Sequence, residues 1–146
     1  MNRTPRAAVL CLAISGLISF GLPTNSATAL IKDGACEGSE LCLWMDANAQ
    51  GCLYDSGYPN PGGEDLRKLR YNTCPSTSLN DNISSYRNGL HDWLVLWEDV
   101  GKGTTYCIGP RASGNVLPAF NDKATTMVSV EPASYDPKGC RYIDAD

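Results

Sequence analysis

One polar hexapeptide occurs twice in this chain, as Asn80-Asp81-Asn82-Ile83-Ser84-Ser85 and as Asn121-Asp122-Lys123-Ala124-Thr125-Thr126. The residues ahead of each copy also match in order. Leu43-Trp44-Met45-Asp46, Gly51, Tyr54, Gly57 and Leu69 precede the first copy. Leu96-Trp97-Glu98-Asp99, Gly103, Tyr106, Gly109 and Leu117 precede the second. Such self-similarity means one supersecondary unit built twice, neither copy able to bury its apolar face alone. Trp44 lies 36 positions before Asn80, whereas Trp97 lies 24 before Asn121. The surplus falls between Tyr58 and Ser78, a Pro- and Gly-rich stretch that includes Cys74. It reads as a loop insertion on a common four-strand unit.

The apolar stretches between turn residues are short. Leu41–Asp46, Cys52–Gly57, Ile83–Gly89, Asp92–Asp99, Thr104–Pro110 and Thr125–Glu131 favour aromatic and β-branched residues and partly alternate, so each reads as a strand. Only Gly63–Arg70 suggests a helical turn, with Leu66 and Leu69 three apart. Many short strands at regular spacing specify an all-β sandwich or barrel. The two units are expected to pack face to face, with Trp44 and Trp97, at matching places, in the core between them. Trp93 lies before the second repeat and is freer for surface use.

Arg3 and Arg6 precede an apolar run from Ala7 to Leu22, and Ala27-Thr28-Ala29 offers small residues for cleavage. This order describes a secretory signal peptide over residues 1–29. The run is short for a membrane anchor, and no later run is long enough to cross a bilayer. Residues 30–146 are then one domain, and with Arg3 and Arg6 gone it holds 10 basic against 16 acidic residues, a formal charge of −6. That balance excludes the basic surface of a nucleic-acid binder. Of 7 cysteines, Cys11 leaves with the signal, and Cys36, Cys42, Cys52, Cys74, Cys107 and Cys140 remain. An even count in a small exported domain reads as a disulfide framework. Zinc is disfavoured: there is no Cys-x2-Cys pair, and His91 is the only histidine. Many pairings are open to six cysteines; the one expected is sequential, Cys36–Cys42, Cys52–Cys74 and Cys107–Cys140.

The hexapeptide offers hard oxygen donors. Asp, Asn, Ser and Thr side chains with backbone carbonyls suit calcium, which takes six to eight such ligands in a forgiving geometry. One turn has too few ligands, but two turns from symmetric halves, each lending donors to the other, would complete two ions. The competing reading is a simple strand connector, since Asn, Asp and Ser also build turns by bonding their own backbone. An EF-hand is excluded, because no twelve-residue acidic loop with its glycine occurs.

These residues carry a resemblance. The paired Asn-Asp-x-x-Ser/Thr-Ser/Thr turns, each preceded by an aromatic-acidic hairpin, resemble the βγ-crystallin Greek key. Trp44–Gly51 and Trp97–Gly103 are similar to the family's first hairpin, and Phe120–Thr126 resembles the turn that closes the motif. Cys36–Trp44, with its Cys-x5-Cys, is similar to the start of the Streptomyces metalloproteinase inhibitor family, a single-domain branch of that fold. The resemblance covers roughly Cys36 to Val130. It implies a first Greek key over about 36–90, a second over about 91–131 and a tail over 132–146. It also implies calcium ligands: a side-chain oxygen from the second position, a carbonyl from the third and a hydroxyl from the fifth. Here these are Asp81, Asn82 and Ser84, then Asp122, Lys123 and Thr125. Ser85 holds the sixth position, where the family uses serine to pin the hairpin; Thr126 departs from that pattern.

The resemblance also implies inhibition of a secreted protease. The family's inhibitory segment extends the connection between the first two strands of the second key. Here that connection, Glu98–Tyr106, is short, and the extra residues lie in Tyr58–Pro75 instead. An enzyme is not expected. His91-Asp92 are adjacent and point to opposite faces of a strand, and no G-x-S-x-G elbow occurs. The expectation is a secreted, monomeric inhibitor binding calcium, with no nucleic-acid or membrane partner. Its alternative is a calcium-stabilised module with no protease target.

Overall fold

The computed structural model describes residues 32–60, 62–134 and 136–144. The segment read as a signal peptide lies outside the described residues. The strands are β1 Leu41–Asp46, β2 Gln50–Ser56, β3 Glu64–Asp65, β4 Ser85–Asn88, β5 Trp93–Asp99, β6 Lys102–Ile108, β7 Ser113–Asn115, β8 Thr126–Val130 and β9 Tyr142–Asp144. They form two sheets, ordered β2-β1-β4-β7 and β3-β8-β5-β6-β9. Each half sends its third strand to the other sheet: β3 pairs with β8, and β7 pairs with β4. The two Greek keys are thereby interlocked.

Strand alternation sets the core. Leu41 and Leu43 on β1, and Leu94 and Leu96 on β5, are fully buried between the sheets. Trp44 and Trp97 fall on the opposite parity and are only half-buried. The expected tryptophan core is therefore not formed, because each tryptophan follows an inward leucine and is turned to the outer face. Tyrosines and Phe120 fill the interior instead. Tyr106 stacks on Phe120 at 5.4 Å and meets Tyr86 edge-on at 6.1 Å, both favourable geometries for aromatic quadrupoles.

The first-half surplus is more than a surface insertion. It contains β3 and the fully buried Leu66 and Tyr71. Leu66 N–H donates to Thr125 O at 2.9 Å, and Val116 N–H donates to Ser84 O at 2.9 Å. Leu66 is thus the counterpart of Val116, not Leu69 of Leu117. The extra chain follows: 13 positions separate Leu66 from Leu79, where 4 separate Val116 from Phe120. Gly63–Arg70 is not a helix; tight turns follow β3, with Lys68 N–H donating to Asp65 O at 3.0 Å.

The cysteines pair in sequence order, Cys36–Cys42, Cys52–Cys74 and Cys107–Cys140. The last bond brings the tail back to the fold, where β9 runs parallel to β6 and Tyr142 packs on the core. Among the described residues no helix is long and apolar enough to cross a membrane.

Candidate functional site

Each hexapeptide closes its half by folding under the hairpin that opens it. Ser84 N–H donates to Trp44 O at 2.9 Å, and Thr125 N–H donates to Trp97 O at 2.8 Å. Both hairpins shift register just after the tryptophan. Ser85 Oγ donates to Asp46 O at 2.6 Å and accepts from Ala49 N–H at 3.1 Å. Thr126 Oγ1 donates to Asp99 O at 3.2 Å. The threonine therefore makes the hairpin contact that serine makes in the first half. Its added methyl does not displace that bond.

The two turns cross. Asp81 and Asp122 both adopt φ 55, a left-handed conformation that aspartate tolerates better than most residues. Asp81 N–H donates to Ala124 O at 3.0 Å, and Asp122 N–H reaches Ile83 O at 3.5 Å. Each second-position aspartate thus meets the fourth residue of the opposite copy. Ser84 Oγ donates to Asp122 Oδ1 at 3.3 Å, joining expected donors from different halves. Both aspartates are exposed, and each accepts from the asparagine before it, Asn80 or Asn121.

The other expected donors are placed less symmetrically. Thr125 Oγ1 donates to Glu98 O at 2.9 Å. Lys123 Nζ donates to Ala119 O at 2.7 Å and lies 3.7 Å from Glu98 Oε1, so a carboxylate accompanies its charge. A hydrogen bond from Thr104, then Lys123, holds the Glu98 carboxyl below its ordinary range. The Asn82 carbonyl accepts from the Tyr71 hydroxyl. Burial, then the charges of Asp122 and Asp46, pushes the Tyr71 phenol up. Chemically, the crossing turns present hydroxyls, carbonyls and isolated carboxylates, a hard-oxygen set. Among the described residues no trio of His, Cys, Asp or Glu gathers as a metal cluster.

Sequence reasoning missed Tyr71, which has no counterpart in the second half and so left no trace in the repeat. It also missed the grooves beside the outer tryptophans. Trp97, Val100, Gly63 and Thr126 border a cavity of about 380 Å³. Trp44, Arg87, Asn48 and Asn115 border one of about 450 Å³ at the matching place in the first sheet.

The β5–β6 connection is a tight hairpin whose tip residue, Val100, is 53% exposed. The first-half segment is anchored more firmly. Leu66 and Tyr71 are buried on either side of a turn that exposes Arg67, Lys68 and Arg70, and Cys52–Cys74 braces its far end. Arg67 grips Asp65 through two nitrogens, at 2.8 and 2.7 Å. His91 and Asp92 do not form a dyad. His91 is exposed, with Nε2 2.8 Å from Arg111 Nη2. Asp92 accepts from the Tyr58 hydroxyl at 2.6 Å and from Ser129 Oγ at 2.9 Å.

The family described as peptidase inhibitor family I36 matches residues 32–109. Among solved structures, one from work on the evolution of the eye lens βγ-crystallin domain fold is similar, with a TM-score of 0.51 and 20% identity over 64% of this chain and 86% of that one. A βγ-crystallin domain from Clostridium beijerinckii is similar with a TM-score of 0.50 and 20% identity, over 62% of this chain and 97% of that one. These likenesses show a βγ-crystallin fold. No curated protein matches the chain.

Proposed function

The chain belongs to peptidase inhibitor family I36, and from that premise we propose that it is an exported inhibitor of a secreted metallopeptidase, carrying calcium at its crossing turns. The observation that carries the reading is the family match, which spans residues 32–109 and so includes the braced first-half segment. Disulfides suit an exported chain. An inhibitor gains from a contact surface that is rigid before docking, because less conformational entropy is lost on binding. The turn exposing Arg67, Lys68 and Arg70 meets that requirement, held by Leu66, Tyr71 and the Cys52–Cys74 bond. We place the contact there, because the β5–β6 connection is only a tight hairpin.

Calcium is supported by the crossing of the turns. Asp122 with Ser84 would hold one ion, joined by the Lys123 carbonyl. Asp81, the Asn82 carbonyl and Thr125 would serve the other. Bound calcium would tie the two Greek keys at the point where their turns meet, and so stiffen the scaffold behind the contact surface.

The test is an inhibition titration of the cleaved, oxidised protein against a thermolysin-type metallopeptidase, with a serine peptidase as control. Stoichiometric inhibition of the metallopeptidase alone is expected, weakened by Arg67→Ala with Lys68→Ala. Inhibition of neither enzyme would sink the proposal. The short β5–β6 hairpin would then favour a calcium-stabilised module without a protease target.

A further inference from the structure

The outer face of the first sheet carries a groove with two built walls. The register of β1, β4 and β7 sets Trp44, Ser85 and Asn115 in one cross-strand row, and Arg87 faces Ser113 in the next. Directly opposed residues share a face, and diagonal neighbours lie within reach of long and aromatic side chains. Trp44 and Arg87 are such diagonal neighbours, both half-buried. One wall is the β1–β2 hairpin. Asn48 N–H donates to Asn115 Oδ1 at 2.6 Å, and Asn115 Nδ2 donates back to Asn48 Oδ1 at 3.0 Å. Ser85 Oγ accepts from Ala49 N–H at 3.1 Å, so this wall is fastened to the sheet. The other wall is the Cys36–Cys42 loop, where Arg87 Nη1 donates to Cys36 O at 3.4 Å. The cavity between them is about 450 Å³.

Arg87 has donors to spare. Its contacts, Cys36 O and Cys36 Sγ, both use Nη1, so Nε and Nη2 donate to no described residue. Among the described residues no ion pair reaches it. A planar guanidinium with its fork open is a carboxylate site. The indole beside it is an apolar platform, and the Asn48 and Asn115 amides add directional polar groups, the usual make-up of a small-molecule site. A carboxylated sugar ring has the complement of all three: an apolar C–H face, a carboxylate and hydroxyls. We propose that this groove binds a uronic-acid-containing oligosaccharide, its ring on Trp44, its carboxylate on Arg87 and its hydroxyls on Asn48 and Asn115. An acidic peptide would engage the guanidinium and leave the ring and the amides less well matched. The corresponding groove beside Trp97 is bordered by Glu64 and Asp65, which repel an anion. The site also lies apart from the Arg67–Lys68 turn, which follows β3 of the second sheet.

The test follows the tryptophan indole N–H resonances by NMR while the oxidised protein is titrated with trigalacturonic acid or a hyaluronan hexasaccharide. Chelator is present throughout, so that calcium cannot bridge ligand and protein. At least one of the two uronates is expected to shift the Trp44 resonance and leave those of Trp93 and Trp97 in place. Neutral maltohexaose should shift none. Arg87→Gln should weaken binding about ten-fold, the loss of a charge-assisted hydrogen bond, and Trp44→Ala should abolish it. Arg87→Gln decides the matter if Trp44→Ala fails to fold. The proposal is overturned if neither uronate moves Trp44 at millimolar concentration, if maltohexaose binds as well, or if Arg87→Gln leaves the affinity unchanged. Equal binding of a hexaglutamate peptide would overturn it too, in favour of an acidic protein partner. Each result is independent of whether the protein inhibits a peptidase.

Discussion

Ser84 and Asp122 come from different halves of the repeat, yet Ser84 Oγ donates to Asp122 Oδ1 at 3.3 Å. The contact joins the fifth position of one copy to the second position of the other. It also separates charge from conformation as a basis for a test. Asn tolerates the left-handed φ of 55 at position 122 about as well as Asp does. Asp122→Asn therefore removes the charge of a proposed calcium ligand without straining the turn. In calcium at about 100-fold over Kd, a bound ion stabilises the native state by about 2.7 kcal/mol per site. Asp122→Asn should forfeit most of that, lowering the melting temperature in calcium while leaving it unchanged in chelator. Asp122→Ala should also destabilise the fold in chelator, by about 1 kcal/mol of backbone strain. Identical wild-type melting curves with and without calcium would remove the claim.

Tyr71 is fully buried and its hydroxyl bonds the Asn82 carbonyl. It fastens the first-half segment to the first hexapeptide. Tyr71→Phe keeps the ring in place and deletes one hydrogen bond, a loss of about 1 kcal/mol. Urea unfolding in chelator should show that loss with an unchanged slope. A larger loss, or a shallower slope, would mean that the segment detaches from the fold when the bond is gone.

Much of this architecture was legible because the repeat is written in the sequence. The hexapeptides marked the crossing turns, and alternating apolar residues marked β1, β5 and β8. The third strands were not legible. β3 is Glu64-Asp65 and β7 is Ser113-Gly114-Asn115, both polar and short, and they are strands only because the opposite sheet receives them. Their order emerges from hydrogen bonding to the partner half, not from local propensity. The tryptophans misled for a related reason. A matching place in a repeat fixes symmetry, but parity along the strand decides which face is buried. At the candidate site, Asp81, Ser84, Asp122 and Thr125 could be read from the motif, whereas Tyr71 and the carbonyl of Glu98 could not.

Gly89 shows a constraint of pure space. A Cβ there would sit 2.5 Å from Glu40 O, 2.7 Å from Glu40 N and 2.8 Å from Gly38 O. All three are backbone atoms, so no side chain can swing aside. Gly89→Ala must push the strand end after β4 away from the Cys36–Cys42 loop and break the Gly89 N–H to Glu40 O bond. The expected cost is about 3 kcal/mol, at the upper end of ordinary single substitutions. Chemical denaturation measures it, and a loss below about 1 kcal/mol would show that this approach is looser than described.

Asp65 carries the clearest pH signature. Its carboxyl is lowered from 3.8 to about 2, first by the hydrogen bond from Arg67. A depressed carboxyl pKa means that the unfolded chain binds the proton more readily than the folded one. The stabilising effect is therefore fully present above pH about 4, and it fades as pH falls through the range down to about 2. Arg67→Ala should return Asp65 toward its ordinary value and flatten the acid limb of the stability profile. Arg67 is 57% exposed, so the pair is open to screening. Molar salt should accordingly raise the Asp65 midpoint in an NMR carboxyl titration of the wild type and leave the Arg67→Ala midpoint nearly still. Equal salt responses in the two proteins would place the cause in backbone hydrogen bonding at the turn rather than in the guanidinium.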